Sequence, residues 1–137
     1  ERVVVDSFDI DTLRSVVAEL DATMVAKEDG GYRITLANGT VSSVEFTACS
    51  MGPCLGTHLT ASFGKPSDKS ISQTEEIVRA FNRDRRTLKV YNLGDGRSQA
   101  DLYIIADGGI TMQNYLRQLS LYSYMLMEFR EAIYTGG

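Results

Sequence analysis

Apolar and polar residues alternate with two different periods along this chain, and the period changes at turn residues. Between residues 9 and 20, apolar residues recur every three or four positions, which predicts a first helix with one apolar face. Four short segments that alternate with period two follow, and Asp-Gly-Gly and Asn-Gly turns that favour hairpins lie between them. These segments predict an antiparallel meander of four strands, at residues 23–27, 32–36, 43–49 and 57–63.

A second helix and a second hairpin are predicted after the meander. Ser72 and Glu75 have the spacing of a capping box, which predicts a helix that runs to about Arg83. Strands at 87–92 and 100–106 follow, and a last helix is predicted from its N-cap at Thr111 to about Tyr134. The order of helix, strands, helix, two strands and helix predicts an α+β fold with an antiparallel sheet, in a single domain spanning residues 1–137.

Composition and charge narrow the class of protein. The chain has 137 residues, of which 43% are hydrophobic and 23% charged, so one domain can bury a core without a metal. A net charge of −4 disfavours nucleic-acid binding, which requires a basic surface. The dense basic stretch at residues 83–86 is expected to be a solvated helix end. No apolar run approaches the roughly 20 residues that span a bilayer, so membrane insertion is not expected.

The last helix carries apolar residues on two sides. Its main stripe comprises Met112, Tyr115, Leu116, Leu119, Tyr122, Leu126, Phe129 and Ile133. Leu121, Tyr124 and Met125 fall on the other side. A helix that lies on one sheet needs only one apolar face, so these three residues predict a surface for a partner or for a second copy of the chain. Scattered exposed apolar residues are the alternative interpretation.

Two cysteines lie in one short loop. Cys49 and Cys54 flank a Gly-Pro turn, and pairing of the strands on either side would bring them close enough for a disulfide. Two reduced thiols are the alternative. Redox catalysis is disfavoured because the spacing is not C-x-x-C, and zinc is disfavoured because His58 completes only three ligands. A disulfide favours a periplasmic or secreted location over a cytoplasmic one.

No motif in the chain indicates catalysis. Asp95, Asp101 and Asp107 lack the spacing of a calcium loop and are expected to serve turns and caps. His58 is the single histidine, and no nucleophile is recognisably paired with it. The sequence therefore predicts no catalytic residue, no cofactor and no metal, and we expect a protein that is not an enzyme.

The second half of the chain resembles the YbjN-domain family of bacteria. The matching features are the helix that ends Phe81-Asn82-Arg83, the strand after Arg86, the segment Asp107-Gly108-Gly109-Ile110-Thr111, and the closing helix with Phe129. The cysteine hairpin followed by Leu59-Thr60-Ala61-Ser62-Phe63 is similar to that of exported members. The resemblance extends over about residues 9–134.

The resemblance implies a fold like that of type III secretion chaperones, which dimerise and bind segments of other proteins. The family is described as regulating sensory transduction, with a poorly defined molecular function. We expect a non-enzymatic, homodimeric adaptor or chaperone-like module of a bacterial cell-envelope protein. A small-ligand or signal-sensing domain in the envelope is the alternative. The start at Glu1, without methionine, is expected of a mature chain after signal cleavage or of a trimmed one.

Overall fold

The computed structural model describes residues 3–50, 52–85 and 88–135. Arg86 of the predicted basic stretch, Thr87 of the predicted strand, Met51 of the cysteine loop and the chain start at Glu1 lie outside these residues. The elements, in chain order, are β1 (Val4–Val5), α1 (Ile10–Glu19), β2 (Thr23–Ala26), β3 (Tyr32–Thr35), β4 (Val41–Thr47), β5 (Gly56–Phe63), α2 (Ile71–Asp84), β6 (Lys89–Asn92), β7 (Ser98–Ile105), β8 (Ile110–Thr111) and α3 (Met112–Tyr134).

Strands β2 to β7 form one antiparallel sheet in the order β2-β3-β4-β5-β7-β6. The predicted meander β2-β3-β4-β5 and the predicted hairpin β6-β7 are both present. The hairpin joins the meander through β7, whose eight residues pair with all of β5 from Gly56↔Ile105 to Phe63↔Ser98. The α+β class is therefore confirmed, and the predicted elements occur in the predicted order.

The three helices cover one face of this sheet. Alternate strand residues such as Ile34, Val44, Leu59 and Ile104 are almost fully buried, and they form one core cluster with apolar residues of α1, α2 and α3. The residues between them point to the opposite face, where Tyr103 and other side chains are exposed. This period-two alternation is what a sheet with one covered and one open face requires.

Of the two predicted helix caps, that of the last helix is confirmed and that of the second is wrong. Asp9 caps α1, and Thr111 caps α3 by accepting a hydrogen bond from Asn114 N–H at 3.0 Å. The predicted capping box of Ser72 and Glu75 is wrong, because Ser70 and Gln73 form the capping box of α2. Both pairs have the required spacing. The earlier start puts Thr74 on the buried face of α2 with Val78 and Phe81.

A second, two-stranded sheet at the N-terminus was not predicted. Val4 pairs with Thr111 and Val5 with Ile110, so β1 lies beside the residues that precede α3. Strands of two residues carry no detectable period, which is why the pattern along the chain misses them. The segment is held further by Phe8, whose N–H donates to the carbonyl of Cys54 at 2.7 Å and whose ring packs on Tyr115 at 4.8 Å.

Asn82 on α2 closes one edge of the large sheet. Its side-chain amide donates to the carbonyl of Val90 at 2.6 Å, and its side-chain oxygen accepts from the Val90 N–H at 3.2 Å. Val90 lies in the edge strand β6 and is buried. The asparagine thus supplies the donor and the acceptor that another strand would supply, which satisfies backbone groups that would otherwise be open to edge pairing.

We predict that Asn82→Ala lowers the free energy of unfolding by about 1–3 kcal/mol, because both backbone groups of Val90 lose their partner. Arg83→Ala, on the exposed part of the same turn, is the control and should leave the free energy of unfolding nearly unchanged. Urea unfolding followed by circular dichroism measures both. Equal stabilities of the two variants would contradict this role of Asn82.

Candidate partner-binding surface

The inner face of α3 is fixed firmly against the sheet and the other helices. Phe129 packs edge-on against Phe63 of β5 and Phe81 of α2, with ring centroids 5.2 Å apart in each pair. The Tyr122 hydroxyl lies 2.8 Å from the Ser42 hydroxyl on β4, at hydrogen-bond distance within the core. These contacts set the rotation of α3 about its own axis, and the rotation decides which side chains of α3 face outward.

Two of the three residues predicted to form a partner surface face outward, and one does not. Leu121 is 44% exposed and Tyr124 is 52% exposed. Met125 is only 5% exposed, so its prediction as a surface residue is wrong. At about 100° per residue, Met125 lies between Leu121 and the buried Tyr122 around the helix, and its side chain turns inward. We call Leu121 and Tyr124 together the α3 ridge.

An open groove runs along one side of the α3 ridge, where the end of α1 packs beside α3. The groove has a volume of about 680 Å³. Leu20, Leu116 and the ridge itself contribute apolar lining, and Glu19 and Arg117 contribute opposite charges. We call this the α1–α3 groove. Sequence periodicity could not have found it, because it depends on how α1 packs against α3.

A smaller recess lies on the other side of Leu121, between α3 and the sheet. Its volume is about 140 Å³, and it is lined by Leu88, Leu102, Gln118, Leu121, Tyr122 and Met125. This volume is comparable to that of a cavity that holds one benzene-sized group. Leu121 therefore separates two concave apolar surfaces. Such an alternation of ridge and recess is suited to interlocking with another protein surface.

Polar groups border the α3 ridge. The Arg85 guanidinium contacts the Glu128 carboxylate at 2.9 Å, and it also lies over the Phe81 ring. The Glu128 carboxylate raises the pKa of Tyr124 through hydrogen bonding and through its charge. The ridge is thus an apolar centre with a polar rim, the arrangement typical of protein interfaces.

The cysteine loop joins β4 to β5, as predicted. The sulfur atoms of Cys49 and Cys54 lie 2.06 Å apart, at disulfide distance. Within the loop, Gly52 has a φ of +100° and donates its N–H to the Cys49 carbonyl at 3.0 Å. The loop contacts the N-terminal segment through the Phe8–Cys54 hydrogen bond. In the parts of the chain that the structure describes, no three His, Cys, Asp or Glu side chains come together as a metal site.

The remaining predicted positions lie away from the α3 ridge. Asp95 has the expected turn role, since its carboxylate accepts from the Arg97 N–H at 3.0 Å. The turn or cap role expected of Asp101 is wrong, because Asp101 lies inside β7. Its register partner in β5 is Thr60, and the His58 imidazole, 3.5 Å away, faces it on the open side of the sheet. None of the described helices combines the length and the apolarity needed to cross a membrane.

Comparisons with known proteins give one family and one fold. The model of the YbjN family, described as "Putative bacterial sensory transduction regulator", matches residues 9–135. A crystal structure of YbjN from E. coli, titled as that of a "putative transcription regulator", superposes with a TM-score of 0.60 at 13% identity. The superposition covers 96% of this chain and 89% of that one, so the two share a fold. No curated protein matches the chain.

We predict that Cys49 and Cys54 are oxidised in protein prepared from an oxidising compartment. Intact mass after alkylation should then show no modified thiol without reductant and two modified thiols with it. Replacing both cysteines by serine should lower the free energy of unfolding by roughly 2 kcal/mol, because the closed loop is very short. Reduced wild-type protein is the control and should match the double variant. Two alkylated thiols without reductant would contradict the disulfide.

We predict that stability falls steeply between about pH 10 and pH 12 because of the core tyrosines. Burial raises the pKa of Tyr115 to about 12, and it raises that of Tyr122 well above its usual range. An unfolded tyrosine ionises near pH 10, so above that pH the folded state retains a proton that the unfolded state loses. Tyr115 therefore contributes a loss of up to about 1.4 kcal/mol per pH unit in this window.

Tyr115→Phe tests this pH dependence. Its stability difference from the wild type should be constant from pH 7 to about 9.5 and should change in favour of the variant above pH 10, as measured by urea unfolding. A difference that stays constant up to pH 11.5 would show that Tyr115 is not a buried titrating group.

Proposed function

The chain belongs to the YbjN family, and we propose that it is a non-enzymatic regulatory module that binds other proteins and acts as a homodimer. The observation that carries the proposal is the α3 ridge. Leu121 and Tyr124 stand exposed on a helix whose opposite side is locked into the core, so the pair cannot turn inward without unpacking α3. Exposed apolar residues on a rigid ridge between two concave surfaces favour binding of a partner protein that covers them.

A second copy of the chain fits this surface. In a two-fold dimer the same patch meets itself, so each ridge must find a recess on the other copy. The α1–α3 groove and the smaller recess provide such concave surfaces on both sides of Leu121. The opposite charges of Glu19 and Arg117, which line the groove, also suit self-pairing, because Glu19 of each copy can face Arg117 of the other copy. We propose that the α3 ridge is the dimer interface.

A protein partner is favoured over a small ligand by the shape of the groove. Small-molecule sites enclose most of the ligand surface and place a few polar groups inside. The α1–α3 groove is open to solvent and does not enclose a ligand. The signal-sensing alternative therefore has less support from this surface than the binding of a protein.

The arrangement around the single histidine supports a non-enzymatic role. His58 contacts both the Thr60 hydroxyl and the Asp101 carboxylate at 3.5 Å, which superficially resembles a nucleophile, base and acid. Both contacts use the same nitrogen, Nε2. A relay needs the nucleophile on one ring nitrogen and the carboxylate on the other, so this trio lacks the geometry to activate Thr60.

We further propose an exported, cell-envelope location with a chaperone-like or adaptor role. The Cys49–Cys54 pair supports export, because disulfides persist in oxidising compartments. Its short loop contributes little to stability compared with the core, so compartment is a better explanation for the pair than a need for extra stability.

We predict that the wild-type protein elutes as a dimer and that Leu121→Asp elutes as a monomer, because a charge at the interface centre would be buried without a partner. Size-exclusion chromatography with light scattering, at micromolar concentration, measures the molar mass. Leu93→Asp is the matched control. Leu93 is a leucine of similar exposure, 40%, and it lies in the turn between β6 and β7, outside α3. It should stay dimeric.

Two results would refute the interface. A wild-type protein that is monomeric throughout would remove the homodimer. A dimer that survives Leu121→Asp and Tyr124→Asp unchanged would place the contact elsewhere on the molecule. Circular dichroism of each variant checks that the fold is retained.

A further inference from the structure

The open face of the sheet, away from α3, carries an exposed tyrosine, Tyr103. Tyr103 of β7 lies across the neighbouring strand β5 above Gly56, where a Cβ atom would come within 2.8 Å of the ring carbon Cζ. Its hydroxyl forms a 2.6 Å hydrogen bond with Thr47 Oγ1 on β4. The hydroxyl end of the ring thus lies over Gly56, while the residue remains 48% exposed. We call this ring the Tyr103 platform.

Two other aromatic rings, that of the half-buried Tyr91 and that of the buried Phe81, already face a cation of the same chain. The Lys89 ammonium lies 5.6 Å from the centre of the Tyr91 ring on the open face, and the Arg85 guanidinium lies 5.5 Å from that of Phe81. Among the described residues, no lysine or arginine occupies the Tyr103 platform in this way. The His58 ring meets it only edge-on, at 6.1 Å.

Two carboxylates, those of Glu45 and Asp101, lie near the Tyr103 platform, and Lys89 on β6 is the register partner of Asp101. Glu45 on β4 pairs with His58, which pairs with Tyr103, so the three residues form one row on the open face. Asp101 precedes Tyr103 by two residues and faces the same way. Its Oδ1 atom is shielded from solvent and lies 3.5 Å from His58 Nε2, with no shorter polar contact among the described residues. The combination of an aromatic face and nearby negative charge attracts cations.

We propose that the Tyr103 platform binds an arginine side chain carried by a segment of a partner protein. Sites for free small molecules are concave, whereas Tyr103 lies on the open face of a sheet, which favours a cation presented by a polypeptide. A planar guanidinium stacks on an aromatic face and also pairs with carboxylates, so arginine fits better than lysine. The inference rests on the proposed protein-binding function, but it uses a surface separate from the α3 ridge.

The test uses the capped peptide acetyl-Gly-Arg-Gly-amide and its neutral citrulline analogue. Each is titrated into ¹⁵N-labelled full-length protein, and amide shifts are followed by NMR. The arginine peptide should shift the signals of Gly56, His58 and Tyr103 in a saturable way, with a Kd on the order of millimolar. The citrulline peptide, which has almost the same shape and no charge, should bind at least about threefold more weakly.

Variants locate the contact. Tyr103→Leu should weaken binding of the arginine peptide about three- to fivefold, whereas Tyr103→Phe, which keeps the ring, should bind like the wild type. Tyr124→Leu is the matched control, because Tyr124 is a tyrosine of similar exposure, 52%, on the α3 ridge, and it should leave binding unchanged. Leu121→Asp should bind the peptide normally whatever its oligomeric state, which separates failure of this inference from failure of the proposed dimer.

Three results would overturn the inference. The first is the absence of saturable shifts around Tyr103, and the second is equal binding of the two peptides. The third is unchanged binding by Tyr103→Leu with the fold intact by circular dichroism.

Discussion

The packing of one helix on one face of the sheet determines the rest of this structure. Helix α3 buries Tyr115, Tyr122 and Phe129 completely or almost so, and the aromatic contacts of Phe129 join it to both β5 and α2. Removing so much aromatic surface from water is worth several kcal/mol, so the orientation of α3 is not easily changed. Everything that α3 exposes is consequently held in a fixed position.

Two surfaces of different chemistry follow from that single constraint. On the outer side of α3, an apolar ridge lies between concave surfaces, which suits a self-complementary interface. Because all three helices pack on one side of the sheet, its other face stays open. That face carries carboxylates, a histidine and the exposed Tyr103. A protein with these two surfaces could join a second copy through the helix and still present the sheet to another partner.

The strongly periodic elements could be predicted from the sequence, and the surfaces only in part. The stripe of α3 and the meander were recognisable because burial on one side imposes a period on the residues. Met125 was misplaced because a helical position between two faces is decided by its neighbours, here Leu88 and Leu102, which come from distant parts of the chain. The Tyr103 platform was invisible for the same reason, since Gly56 and Thr47 become its neighbours only through strand pairing.

The central claim is that a second copy of the chain covers the α3 ridge. Isotope-filtered NMR on a mixture of ¹³C-labelled and unlabelled protein measures it most directly, because it detects only contacts between different molecules. We expect intermolecular cross-peaks from the Leu121 methyl groups to residues that line the α1–α3 groove or the neighbouring recess. A dimer whose intermolecular cross-peaks arise elsewhere, with none from Leu121, would contradict the account.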